Sequence, residues 1–292
     1  MKRMKKVLMA LFLLPFILLL LIGDQEVPQK RSTISEPTDW GKFVAPMMGY
    51  VYGTPEKDET LYVMIYWCYP KKYVNGSLAI GLSSLMEIFS SASYNGRHVP
   101  VFYRGYLGLA VPINVSRFPV LLDAKYIDAT VSVHLMRNYN ESIVKVYMGN
   151  WTLETGKLPK MMPNITSYTL ESIEFTRNWI VTYKFGLYNP YNVTIKFLNI
   201  SFELPGIKVL NITVYNASTF YGVNETTKVN DFSIPPGESR YFVITLLNDP
   251  EVNFFLRPKI EYLVGSEKYI MPGPPFQLTY LKKECWVNMK KN

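Results

Sequence analysis

The chain has 292 residues, of which 48% are apolar, 15% aromatic and only 18% charged. That much apolar surface excludes an intrinsically disordered chain, and the length leaves room for two domains. Two cysteines and two histidines exclude a disulfide-dense scaffold, a four-cysteine zinc site and a histidine-rich metal centre.

The formal charge of +8 is partly local. Lys2, Arg3, Lys5 and Lys6 take four of the 31 basic residues, leaving 27 against 23 acidic ones. Those 27 are scattered, so no basic face suited to nucleic acid is expected.

Behind MKRMKK, residues 7–23 (VLMALFLLPFILLLLIG) carry no charge. A positive flank before an apolar run is the pattern of a signal peptide or a signal anchor. Seventeen residues at helical rise reach about 25 Å, the short limit for a membrane span. Leu21-Ile22-Gly23-Asp24-Gln25 offers no small-x-small cleavage site. The expectation is a hydrophobic helix over 1–23 retained as a single-pass anchor, N-terminus inside and the bulk of the chain outside the cell. Secretion after leader cleavage is the alternative.

Residues 24–58 are polar and proline-containing, and read as a stalk or linker. Short apolar runs separated by turn residues then predict strands at 61–69, 99–103, 126–136 and 143–148. Leu82, Leu85, Met86 and Phe89 follow helical spacing, which predicts a short helix over 82–90. The run 107–113 is apolar on both faces and reads as a buried strand. Asn138-Tyr139-Asn140-Glu141 is a polar break suited to a hairpin tip. The pattern thins over 152–165, where the domain boundary is placed. Beyond it, strands are predicted at 168–175, 179–187, 193–204, 207–214, 241–247, 260–264 and 268–271, the last pair turned by Gly265-Ser266-Glu267.

Asn-X-Ser/Thr occurs at Asn75, Asn114, Asn140, Asn150, Asn164, Asn192, Asn199, Asn211, Asn216 and Asn224. Chance predicts about two such triplets in a chain of this composition, so the set reads as N-glycosylation acceptors outside the cell. Asn192-Val193-Thr194-Ile195-Lys196-Phe197 puts apolar residues on one parity and sequon residues on the other. Asn199 to Leu204 and Asn211 to Val214 do the same. Side chains alternate between faces along a strand, so these asparagines are expected on the wet face.

In the second half, Thr182 to Tyr188 is a strand running into Asn189-Pro190, and Ile234-Pro235-Pro236-Gly237-Glu238-Ser239 leads into another at Arg240 to Leu247. Strand, Asn-Pro turn, strand and Pro-Gly turn over about residues 168–280 resemble the immunoglobulin-like sandwiches of LEA14/WHy-type domains and the CARDB-like modules of archaeal surface proteins. The WHy pattern carries an apolar or proline step after Asn-Pro, where this chain has the sequon at Asn192. The resemblance implies a binding or structural module and supplies no catalytic residue.

The chain contains no GxSxG, HExxH, P-loop or Rossmann glycine pattern. His98 sits in a turn-like Asn95-Gly96-Arg97-His98, and His134 is flanked by Val133 and Leu135 of opposite parity. Asp123 and Asp128 are five apart and Glu171 and Glu174 three apart, so neither pair shares a strand face as paired glycosidase carboxylates would need. Cys68 and Cys285 admit a disulfide in an oxidising compartment, where closing a loop of about 217 residues would stabilise by roughly 4–5 kcal/mol. Two unpaired thiols are the other reading. Tyr66, Trp67, Tyr103 and Tyr106 form a candidate aromatic patch for a sugar or protein partner, with cross-strand packing as the plainer reading.

Together these features predict a mainly β protein, two antiparallel β-sandwich-like domains behind an N-terminal hydrophobic helix. The first domain covers 59–155, the immunoglobulin-like sandwich 156–281 and a basic tail 282–292. The expected role is a membrane-anchored extracellular structural or adhesion protein, with no catalytic activity and no cofactor, touching envelope proteins or glycans. The alternatives are an extracellular carbohydrate- or peptide-binding subunit and a secreted hydrolase.

Overall fold

The alternation read in the sequence becomes strands that bury one parity. Val181, Tyr183, Phe185 and Leu187 point inward from one strand, and Phe242, Ile244 and Leu246 from the strand beside it. The computed structural model describes residues 41–68, 78–83, 107–118, 123, 125–137, 140–169, 180–216, 228–229, 232–248 and 252–280. In chain order these form β1 (Lys42–Val44), β2 (Met48–Gly53), β3 (Thr60–Cys68), β4 (Leu78–Ser83), β5 (Leu107–Asn114), β6 (Lys125–Arg137) and β7 (Asn140–Thr155). There follow β8 (Asn164–Thr169), β9 (Ile180–Tyr188), β10 (Ile195–Ser201), β11 (Ile207–Asn216), β12 (Lys228–Val229) and β13 (Ser233–Ile234). The last are β14 (Ser239–Asn248), β15 (Phe254–Arg257), β16 (Lys259–Val264), β17 (Glu267–Pro272) and β18 (Phe276–Leu278). Val115–Arg117 is a short 3-10 turn.

The strands make four sheets, ordered β1-β3-β5, β18-β15-β2-β7-β6-β4, β12-β11-β14-β9-β8 and β13-β10-β16-β17. The three-stranded sheet packs Leu61, Val63, Ile65, Trp67, Val111 and Ile113 on Val131, Val133, Trp151 and Phe255 of the six-stranded one. The five- and four-stranded sheets close a second core around Phe185, Phe197, Phe242 and Ile260. Phe197 and Phe242 meet there at 4.6 Å between ring centroids.

The six-stranded sheet belongs to both cores. Val51 of β2 and Phe255 of β15 enter the first, whereas Tyr50, Tyr52, Phe254 and Leu256 of the same strands enter the second. Every residue of β15 is buried, and Phe276 and Leu278 of β18 join the second core. Successive side chains of a strand point to opposite faces, so a strand covered on both sides loses the polar-apolar alternation. Residues 36–292 accordingly form one compact unit.

Several expectations change here. The 24–58 stalk contains β1 and β2. The division at 155/156 is crossed by β15 and β18, which complete the sheet of β6 and β7. That sheet is not wholly antiparallel, because β2 runs parallel to both β7 and β15. Part of the 82–90 helix is strand, since β4 extends to Ser83 and pairs with β6; residues 84–90 lie outside the described residues. So does the 1–23 helix. Among the described residues, no helix is long and apolar enough to cross a membrane. The expected hairpin is present, with Arg137 of β6 opposite Asn140 of β7, and Gly265 (φ 62°) turns β16 into β17.

Candidate functional site

The sequons of the described residues are distributed over all four sheets and the turn that follows β9. Asn150, Asn164, Asn192, Asn199 and Asn211 are exposed, while Asn114 and Asn216 are half-exposed. Asn140 opens β7, and Asn75 and Asn224 lie outside the described residues. No sequon asparagine whose side chain is described is buried.

Local structure explains this exposure. Asn189 is fully buried and uses its whole amide: Nδ2 donates to the Val193 and Ile234 carbonyls, both at 2.8 Å, and Oδ1 accepts from Tyr191 N at 3.0 Å. Its backbone also bonds the Pro-Gly turn, accepting from Gly237 N and donating to Glu238 O. The Asn-Pro and Pro-Gly turns are thereby tied together, and Asn192, Val193 and Thr194 are left on the exposed rim.

Four sequons coincide with breaks in strand register. Leu198 is the extra residue between the Phe197–Tyr262 and Asn199–Glu261 pairs. Leu210 is the extra residue between Val209–Leu246 and Asn211–Thr245. Met148 is skipped just before Gly149 and Asn150, and Thr166 is skipped within the Asn164 sequon. A bulge sets two residues against one and re-aims the side chains that follow. On β7 the buried parity changes from Val144, Val146 and Met148 to Trp151 and Leu153, which turns Asn150 outward. Gly149 has φ 81°, and a Cβ there would lie 1.7 Å from the Met47 carbonyl oxygen.

Two asparagines have their amide oxygens engaged. Asn150 Oδ1 accepts from the Tyr147 hydroxyl at 2.9 Å. Asn114 Oδ1 caps the 3-10 turn, accepting from Ser116 N at 3.0 Å and Ser116 Oγ at 2.5 Å. The atom an N-linked sugar uses is the amide nitrogen, so these bonds orient the acceptor without using its reactive atom.

Of the four residues of the candidate aromatic patch, two are described. Trp67 is 1% exposed and stacks on Phe43 in the first core, with centroids 6.0 Å apart. Tyr66 is half-buried against Val44 and Cys68. Tyr103 and Tyr106 lie outside the described residues. Cys68 is buried and disulfide-bonded; Cys285 lies outside the described residues.

The polar groups inside the unit tie its sheets together. Glu154 accepts from the Tyr50 hydroxyl and from Lys259 Nζ, each at 2.8 Å. Arg257 pairs with Glu59 at 2.5 Å and donates to Gly273 O. Burial, together with Glu154, raises the Tyr50 hydroxyl far above its ordinary value, and burial with Glu154 and Glu56 pushes Tyr52 up to about 12. Burial likewise raises Tyr183 and Tyr262 and lowers Arg257, whose charge Glu59 supports. Tyrosines held protonated in this way serve as hydrogen-bond donors in the interior. Of the carboxylates singled out by spacing, Asp123 and Asp128 are exposed and Glu171 and Glu174 lie outside the described residues. His134 is half-buried on β6, and His98 lies outside the described residues. Among the described residues, no group of three or more His, Cys, Asp and Glu side chains could hold a metal.

No protein-family model matches the chain, and no curated protein matches it. Among solved structures it is similar to a protein of unknown function from Porphyromonas gingivalis W83, at 9% identity and TM-score 0.24, covering 81% of this chain and 99% of that one. It is also similar to the C-terminal domain of the Streptococcus agalactiae AgI/II polypeptide BspA, at 10% identity and TM-score 0.25, covering 81% and 96%. A Corynebacterium diphtheriae protein described as membrane anchored overlaps at 13% identity and TM-score 0.29, covering 82% of this chain and 58% of that one. At these TM-scores the overlaps carry no argument about fold or function.

Proposed function

We propose that this chain is an exported envelope protein, held at the cell membrane by residues 1–23, whose outer portion is a glycan-bearing structural or adhesive module without catalytic activity. The observation that carries this reading is the placement of the sequons. Five of the seven sequon asparagines with described side chains are exposed, the other two are half-exposed, and they occur on several sheets of one unit. A bulky saccharide at these positions leaves both cores undisturbed.

A second support is the oxidised state of the buried Cys68, which suits an oxidising compartment. Its proposed partner is Cys285, the chain's other cysteine. The bond between the Asn-Pro and Pro-Gly turns supports the immunoglobulin-like reading of the second half, with a binding or structural role rather than a chemical one. For the ligand-binding alternative, Trp67 is withdrawn as a contact residue because it lies in the core.

Intact mass of the natively produced protein tests the proposal, measured before and after enzymatic deglycosylation and with thiol labelling. The expected result is a retained leader, several saccharide additions and no free thiol. A cytosolic protein of unmodified mass would overturn it.

A further inference from the structure

Ten large apolar side chains are exposed among the described residues, and their positions are not random with respect to the sequons. Leu198 and Asn199 are the two residues of one bulge, facing Glu261 of β16, and both are exposed. Leu210 and Asn211 occupy the equivalent places on β11 against Thr245 of β14, with Leu210 52% exposed. The same association recurs with tyrosine. Tyr62, 58% exposed, is the diagonal same-face neighbour of Asn114, because Thr60 opposes Asn114 and Tyr62 opposes Pro112. Tyr126, 70% exposed, stands in the same relation to Asn150 through the Asp128–Asn150 and Tyr126–Thr152 pairs. Diagonal neighbours lie about 7–8 Å apart, within reach of a large side chain. Val193 and Ile165 are the middle residues of two further sequons.

Apolar side chains scattered singly over a surface need no explanation. Six of ten lying beside an asparagine of one motif do, above all the two leucines. At a bulge the extra residue is unpaired and no core demand fixes its type, yet both times an exposed leucine stands directly before the acceptor.

We propose that these side chains are seats for saccharide attached to the neighbouring asparagine: the first sugar at Asn199 lies across Leu198, and that at Asn211 across Leu210, with its C–H face on the leucine methyls. This rests on the glycoprotein reading above and adds what the sugar touches. Attachment requires a glycosyl phosphate donor. The bond from anomeric carbon to phosphate oxygen breaks, the new bond forms to asparagine Nδ2, that nitrogen loses one proton, and the phosphate leaves with the electron pair. Once attached, the sugar is tethered at the effective concentration of a neighbouring residue, so even a small patch of apolar contact holds it. Covering the patch removes apolar surface from water, and the exposed leucines cease to be a liability.

The test is a double-mutant cycle on the full chain produced with its native glycosylation. Glycopeptide mass spectrometry first reads occupancy at Asn199 and Asn211. Thermal midpoints are then compared for the parent, Leu198→Ser with Leu210→Ser, Asn199→Gln with Asn211→Gln, and all four changes together. The leucine substitutions are expected to lower the midpoint by about 2–4 °C in the glycosylated protein, and to leave it unchanged or higher in the Asn→Gln background. Binding of an apolar dye should rise on Asn→Gln only while the leucines are present. Leu158→Ser, at an exposed leucine that belongs to no sequon and to neither bulge, should shift the midpoint equally in both backgrounds. Occupied sites with equal leucine effects in both backgrounds would overturn the seating and leave the glycoprotein reading intact. Unmodified Asn199 and Asn211 would overturn the seating, and a chain without saccharide at any sequon would overturn both.

Discussion

The two ends of the six-stranded sheet obey different rules. At the β6–β7 end one face is core and the other meets solvent, so Val131, Val133 and Leu135 alternate with less buried Thr130, Ser132 and His134. At the β18-β15-β2 end both faces are core, and Phe254, Phe255, Leu256 and Arg257 are buried in succession. Even the charge among them is buried, with Glu59 beside it. One sheet therefore carries an ordinary amphipathic surface at one end and a double-sided interior at the other. The second end joins two sandwiches into one unit, which neither sandwich's own alternation could reveal.

The sharpest way to break this comparison is to truncate the doubly buried strand on each face in turn. Phe254→Ala and Phe255→Ala are each expected to cost roughly 3–5 kcal/mol in urea unfolding, although they empty different cores. Both should keep a single transition, and two separated transitions would show that the sandwiches are energetically independent. Next in size is the buried ion pair. Glu59→Gln leaves Arg257 without its partner charge and should cost about 3 kcal/mol, whereas Glu59→Leu with Arg257→Met should recover most of that loss. A double variant as unstable as the single one would remove the pair from the joint.

Alkaline titration probes the same region by charge. The Tyr52 hydroxyl is raised from 10 to about 12 in the folded state, so folded protein holds this proton where unfolded chain has released it. Its contribution is complete below pH 10 and is lost as pH rises to about 12, with Tyr50 and Tyr183 acting in the same direction. Tyrosinate absorbance and far-ultraviolet circular dichroism should therefore change together above pH 10. Ionisation of these tyrosines with the fold intact would contradict their burial. The smallest effect belongs to the solvent end, where Ile143→Thr on exposed β7 should change stability by no more than about 0.5 kcal/mol.

What the sequence disclosed follows the same divide. Strands with one wet face were legible: β6, β9, β14 and β16 lie where alternation puts them. The bulges also left a trace, since the apolar parity changes between Ile195, Phe197 and the later Ile200, Phe202, Leu204. That shift was available in the pattern, but it reads as a bulge only once the strand partners are known. Met48-Gly49-Tyr50-Val51-Tyr52-Gly53 shows no period because both parities are packed, and it sits in a stretch whose prolines and charges suggest a linker. Gly49 is also required by packing, since a Cβ there would fall 2.3 Å from the Trp151 ring. Trp67 was read as a candidate contact residue for a related reason. In Thr60-Leu61-Tyr62-Val63-Met64-Ile65-Tyr66-Trp67-Cys68 both parities are apolar, so the sequence cannot tell which one faces the core. The exposure of the sequons was legible, whereas the leucines beside Asn199 and Asn211 gained meaning only from the strand pairing.

The parallel pairing of β2 with β15 also sets a timetable for biogenesis. Met48 cannot meet Phe254 until some two hundred further residues have been polymerised, and the central sheet stays open throughout that interval. The amino-terminal half thus remains unfinished chain for most of its synthesis; under the export and glycosylation proposed above, that interval would suit threading through a translocation pore and would leave acceptor triplets open to a transferase before closure hides their neighbours.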